Sequence, residues 1–124
     1  VTTLSDLKHD IGFSLCNIDD NTKVVIAPYE GIEREWRFFV SKNKVITGSQ
    51  YHLYGKLFES NNYDESAYDL ALEVSNLYNP DEVFTVDICK TYSGEYKVVE
   101  LNSFSCSGLY LCNPYKIVDF IENI

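Results

Sequence analysis

The sequence has few of the residues that zinc binding and nucleophilic catalysis require. Its only histidines, His9 and His52, lie far apart along the chain, and its four cysteines are irregularly spaced without a C-x-x-C pair. Two isolated histidines do not complete a zinc site, and no Ser-His-Asp or Cys-His arrangement is apparent. We therefore expect four reduced thiols in a cytoplasmic protein.

Long apolar runs and positive charge are also scarce. No run approaches the roughly 18 apolar residues of a membrane helix, so a membrane partner is not expected. Ten basic residues stand against nineteen acidic ones, for a net charge of −9, which argues against nucleic-acid binding through phosphates unless the basic residues cluster. The only arginines, Arg34 and Arg37, are either used for their fork geometry or form an exposed pair on a strand edge.

The apolar pattern predicts a single domain over residues 1–124. With 45% hydrophobic residues, the chain can build a core. Helical spacing predicts helices over residues 3–11, 64–78 and from Asn113-Pro114 onward. Predicted strands cover residues 23–27, 32–40, 44–49, 83–90 and 96–102. Because hairpins join most strands, we expect an α+β fold, an antiparallel sheet with helices packed on one face.

Alternation along the last two strands places three polar residues together. If Ser93-Gly94 is a two-residue turn, paired residue numbers sum to 187, and Asp87 lies directly across from Glu100. Asn102 then follows on the same face. Opposed like charges are destabilising, and a magnesium ion held by oxygen ligands would compensate for the repulsion. The alternatives are solvated carboxylates, or a carboxylate paired with a lysine.

The 32–40 strand contributes a cation. Trp36 alternates with the apolar Phe38 and Val40, so it is expected in the core. Arg37 shares the opposite face with Glu35, and its guanidinium could hold a phosphate through two parallel hydrogen bonds.

These residues resemble the ATP-grasp superfamily, in the carboxyl-terminal part of the domain. The run from Val24 to Val40 resembles the strand, adenine-contacting hinge and E-x-R-x-F-V segment of that superfamily. The spacing from Asp87 to Glu100-Leu-Asn102 is similar to its paired metal-binding strands. Three segments are most similar to the arginine-and-lysine-signature clade, which includes bacterial and phage proteins and the eukaryotic cell-division-cycle protein that assists assembly of an initiation factor: 34–40, 49–51 and 107–110.

The resemblance implies binding of magnesium and ATP. Asp87, Glu100 and Asn102 would be the metal ligands, and Arg37 would be the catalytic residue near the γ-phosphate or an acyl-phosphate. This arrangement implies an ATP-dependent ligase that joins a carboxylate to an amine, and the clade points to a peptide or protein target.

The same resemblance implies an adenine-binding hinge between residues 27 and 30. Ala27 and Tyr29 would contact the adenine, with Tyr29 as the backbone donor because Pro28 has no N–H. Glu30 or Glu33 would hold the ribose.

The superfamily's phosphate-binding lysines and glycine-rich loop belong to an amino-terminal subdomain that this chain does not match. We therefore expect the chain to be part of a longer ligase and inactive in isolation. The alternative is a non-catalytic acidic binding module, a phage or bacterial inhibitor or escort protein that keeps the fold without the activity.

Overall fold

The computed structural model describes residues 5, 6, 8, 9, 19 and 21–124. The chain forms two compact units, Val1–Glu30 and Gly31–Ile124. Within the first unit, the described residues Ser5, Asp6, Lys8 and His9 are helical. The apolar positions on which that helix prediction depends, Leu4, Leu7 and Ile11, lie outside the described residues.

The predicted buried strand at residues 23–27 is wrong. Residues 23–30 have no regular secondary structure, and Val25 is 97% exposed. A short apolar run bounded by proline is compatible with a buried strand, but it forms one only where another strand pairs with it. Among the described residues, none pairs with this run.

The second unit contains one five-stranded antiparallel sheet and two helices. The strands are β1 (Ile32–Ser41), β2 (Lys44–Leu53), β3 (Lys56–Ser60), β4 (Phe84–Thr91) and β5 (Tyr96–Ser103), and the helices are α1 (Glu65–Leu77) and α2 (Pro114–Glu122). A single 3-10 turn, Phe104–Cys106, follows β5. The strand order β3-β2-β1-β4-β5 puts β1 and β4 side by side at the centre. The expected α+β class with an antiparallel sheet is confirmed.

Tight turns join the hairpins of this sheet. Asn43, Tyr54 and Gly55 have φ values of 60°, 49° and 72°, the left-handed conformations that such turns require. The turn at Tyr54-Gly55 adds β3, which the sequence did not predict. At the β4–β5 hairpin the expected two-residue turn is wrong, because Thr91 N–H donates to the carbonyl of Glu95 and leaves a three-residue loop.

The main core lies between the sheet and α1. Trp36, Phe38 and Val40 are fully buried there, as predicted, with residues from β4 and from α1. The small side chains of Ala67 and Ala71 let α1 approach the sheet closely. Asp64 precedes α1 but its side chain does not cap the helix as expected; it accepts a hydrogen bond from the Tyr96 hydroxyl at 2.8 Å.

A second apolar cluster covers the other face of the sheet. It contains Phe39, which alternates with Phe38 along β1, together with Cys112 and Ile117 of the segment that leads into and forms α2. The expectation that the helices share one face therefore holds for α1 and not for α2. Asn113 caps α2 as predicted, accepting from the N–H groups of Tyr115 and Lys116. Of the described helices, none has the length and apolar character needed to span a membrane.

Candidate functional site

Two carboxylates face each other across β4 and β5. Asp87 pairs directly with Glu100, and Thr85 pairs with Asn102, so alternation puts Asp87, Glu100 and Asn102 on one face as predicted. A bulge between Asp87 and Ile88 offsets the longer turn and restores the expected register at this pair. The two carboxylates differ in environment, because the Asp87 side chain is 1% exposed and that of Glu100 is 54% exposed.

Arg37 supplies the charge that compensates for this repulsion. On the central strand β1 it pairs with Asp87, and its Nε and Nη2 donate to the two carboxylate oxygens of Asp87 at 2.8 and 2.7 Å. Nη2 also lies 3.9 Å from the Glu100 carboxylate. The hydrogen bond to Asp87 raises the pKa of Arg37 above its usual value, against the opposing effect of burial. An arginine of the chain, rather than a lysine or a metal ion, thus lies between the two carboxylates.

Further contacts fix the orientation of the Arg37 guanidinium. Nη1 donates to the carbonyl of Gly108 at 3.2 Å. The ring centroids of Tyr51 and Tyr110 lie 5.6 and 5.2 Å from Cζ, within the range of a cation–π contact. The two rings stack on each other with centroids 4.7 Å apart. Three of the five guanidinium N–H groups are used, and one on each terminal nitrogen remains.

Tyr51 links this pair to a second acidic group. Its hydroxyl lies 3.2 Å from Asp87 and 3.5 Å from Glu35, and Glu35 contacts His52 Nδ1 at 2.7 Å. Burial, followed by the nearby negative charges of Asp87 and Glu35, raises the pKa of Tyr51 well above its usual range. The Tyr51 hydroxyl therefore stays protonated and donates to a carboxylate.

The predicted magnesium ligands fit the ion unequally. Asp87 is buried and both its oxygens accept hydrogen bonds from Arg37, so in this arrangement it offers no oxygen to a metal. Glu100 is half-exposed, and Asn102 follows it on the same face, so both offer the hard oxygen ligands that magnesium prefers. Among the described residues, no group of three His, Cys, Asp or Glu side chains could hold a metal. The three-residue magnesium set stays a prediction.

The predicted hinge belongs to the first unit. Ala27, Tyr29 and Glu30 lie in the segment without regular structure, and the Tyr29 side chain is 83% exposed. Glu33 is on β1 in the second unit, where its carboxylate accepts from Nε of Arg34 at 3.1 Å. Contacts of these four residues with adenine or ribose stay predictions.

The sequence did not identify Tyr51, Gly108 and Tyr110 as site residues, although the resemblance included the segments that contain them. Tyr110 has a φ of 48°, an uncommon conformation for a tyrosine, and Gly108 contributes only its carbonyl. The available signal was the pair of short segments 49–51 and 107–110. Their link to Arg37 depends on residues 71 apart, which local patterns do not reveal.

Comparison with known proteins agrees with this fold and cluster. Residues 5–121 match a family described as an ATP-grasp domain, the third family of its clade. Because the match covers most of the chain, the chain belongs to the ATP-grasp domain family, a ligase-type superfamily that binds nucleotides. No curated protein and no solved structure shows significant similarity to the chain.

Proposed function

We propose that this chain is the magnesium–ATP-binding part of an ATP-grasp ligase that joins a carboxylate to an amine on a peptide or protein. The observation that carries the proposal is the cluster in which Arg37 lies between the buried Asp87 and the exposed Glu100. Such an arrangement combines a fixed positive group with a solvent-accessible carboxylate, and a metal–nucleotide needs both.

In this proposal Arg37 is the anion-binding group. Asp87, Gly108 and the two tyrosine rings hold the guanidinium in one orientation before any ligand arrives. A pre-oriented donor loses little entropy on binding and stabilises negative charge that develops on a phosphoryl or acyl-phosphate oxygen. The two N–H groups not used by the chain are the donors available for that contact.

Glu100 and Asn102 are the proposed metal-binding residues. Magnesium in such a site would bridge phosphate oxygens and neutralise their charge. Glu100 projects from an edge strand, where it can ligate without unfolding any part of the sheet. Asp87 acts mainly on Arg37 in this arrangement, and it would join the metal only if Arg37 moved from its present position.

A titration followed by amide chemical shifts tests the proposal. Magnesium–ATP added to the chain should shift the resonances of β4 and β5 around Glu100 and Asn102. The phosphate-binding lysines of the superfamily lie outside the part that this chain resembles, and each missing charge-assisted hydrogen bond removes roughly 1.5–3 kcal/mol. At about 1.4 kcal/mol per tenfold, the dissociation constant is expected to be on the order of millimolar.

Two variants make the titration specific. Glu100→Gln should weaken magnesium–ATP binding severalfold because it removes a metal ligand. Glu59→Gln removes an exposed carboxylate on β3 and makes the same change in net charge, so it should bind like the unmodified chain. Equal binding with and without magnesium, or equal binding by both variants, would contradict the proposal.

The saturated Arg37–Asp87 pair favours one alternative, a non-catalytic acidic binding module. A buried, fully hydrogen-bonded ion pair can serve fold specificity alone. In that case magnesium–ATP at about 10 mM would leave the amide resonances of β4 and β5 unshifted.

A further inference from the structure

The edge of β2 is only partly covered. β1 pairs with β2 along its whole length, whereas β3 pairs with it only from Gln50 to Leu53. In the part of the chain that the structure describes, Lys44 to Ser49 have no strand partner on the side away from β1. These six residues form about 20 Å of strand whose outward N–H and C=O groups are available for pairing.

A cleft with a volume of about 710 Å³ lies along this free edge. One wall is on the α1 face of the sheet, where Tyr63 and Tyr68 pack against Phe38 with ring centroids 5.4 and 6.5 Å from it. The other wall is the segment from Tyr110 to Lys116, on the face of the second cluster. The unpaired strand therefore forms the floor of a cleft lined by tyrosines on both sides.

Charge distinguishes this cleft from the rest of the molecule. The chain carries a net charge of −9, yet the only charged residue that lines the cleft, among those the structure describes, is Lys116. Lys44, at the start of the free edge, lies with its amine 4.8 Å from the ring centroid of Phe120 in α2. The cleft is thus a locally positive surface on an acidic protein and complements a negatively charged ligand.

We propose that this cleft binds an acidic segment of polypeptide in extended conformation, which adds as a strand to the edge between Lys44 and Ser49. An extended backbone has the regular donors and acceptors that an unpaired strand can satisfy, and a compact small molecule does not. Tyrosine side chains on both walls provide rigid apolar contacts for alternate side chains of such a segment. The inference does not depend on nucleotide binding, because none of the proposed metal or phosphate ligands lines the cleft.

The probe for this proposal is a capped peptide, acetyl-Thr-Val-Glu-Val-Glu-Val-Thr-amide. Titrated into the full chain without nucleotide, it should shift the amide resonances of Val45 to Ser49 and slow their hydrogen exchange. The same peptide with lysine in place of both glutamates should bind more weakly. A peptide that is N-methylated at alternate residues has the same side chains but fewer backbone donors, so it should bind at least tenfold more weakly.

Charge-reversal variants locate the binding to the cleft. Lys116→Glu lies in the wall and should weaken binding of the acidic probe about threefold to tenfold, whereas Lys56→Glu, at the start of β3, makes the same charge change outside the cleft and should leave it unchanged. No shift at Val45 to Ser49 with the probe at millimolar concentration would overturn the proposal, as would equal binding of the N-methylated peptide. Protection of this edge that grows with protein concentration in the absence of peptide would show a second copy of the chain as the occupant, and would also overturn it.

Discussion

Arg37 and Asp87 face each other on adjacent central strands and share two hydrogen bonds of 2.8 and 2.7 Å. Their side chains are 9% and 1% exposed. Removing either partner leaves a charge buried without compensation, and the cost of that desolvation exceeds the net value of the pair itself. The stability of the central sheet therefore depends on both residues together.

Single and double substitutions of this pair should differ in a characteristic way. Arg37→Met or Asp87→Leu alone should lower the free energy of unfolding by about 3–5 kcal/mol, because each leaves a buried charge. The double variant should lose much less than the sum, since it leaves none. Arg34→Met, at the more exposed pair with Glu33, should cost about 0–1 kcal/mol. Denaturant unfolding measures all four, and additive losses at Arg37 and Asp87 would contradict the coupling.

Trp36 is the largest side chain in the main core and is fully buried. Trp36→Ala should lower the free energy of unfolding by about 3–5 kcal/mol through lost burial and the cavity that remains. Trp36→Phe should cost much less, because the indole N–H has no hydrogen-bond partner among the described residues. Thermal unfolding of the two variants tests this. An almost unchanged melting temperature for Trp36→Ala would mean that the strand faces are reversed.

Asn43 has a φ of 60° in the turn between β1 and β2. Asparagine tolerates this conformation better than other residues with a β-carbon, and glycine adopts it freely. Asn43→Ala should therefore destabilise the protein by about 1 kcal/mol, and Asn43→Gly should change stability little. Denaturant midpoints with equal slopes check this. Equal losses for both variants would assign the effect to the asparagine side chain rather than to φ.

The sequence predicted the β4–β5 face because side-chain alternation and a nearby turn determine it. Asp87 and Glu100 pair as expected even though the turn was wrong, since a bulge after Asp87 offsets the extra loop residue. Each of these two deviations would be hard to detect from sequence, because a bulge has no strong local pattern. The site face was predictable to the extent that they cancel.

Non-local relationships were beyond the sequence patterns. The Arg37–Asp87 pair requires that β1 and β4 be neighbours, although fifty residues separate the two side chains. The same holds for α2, whose apolar side chains fit either face of a sheet until the position of Phe39 is known. Alternation showed which residues share a strand face, but not which strand or helix packs against that face.

Cys112 is buried in the second cluster and makes the stability of the protein depend on pH. Its thiol donates to the Ser49 hydroxyl oxygen at 3.3 Å, and its surroundings raise its pKa from 9.0 to about 11, chiefly through burial. In the unfolded chain the thiol ionises from about pH 9 upward, whereas in the folded protein it stays neutral until about pH 11. The unfolded state thus binds fewer protons over this interval, and stability must fall as pH rises.

At pH 8 and below, the stability that depends on the neutral Cys112 thiol should be fully present. Between pH 9 and 11 the free energy of unfolding should fall by roughly 2–3 kcal/mol, about 1.4 kcal/mol per unit of pKa difference. Tyrosines also titrate near this range, and burial raises the pKa of Tyr96 to about 12, so the comparison must be with Cys112→Ala. That variant is expected to be less stable at pH 8 because of the cavity, but its deficit should shrink by the same 2–3 kcal/mol at pH 11. Urea unfolding of both proteins at several pH values measures the difference. A deficit that stays constant from pH 8 to 11 would show that the Cys112 thiol ionises as readily in the folded protein as in the unfolded chain.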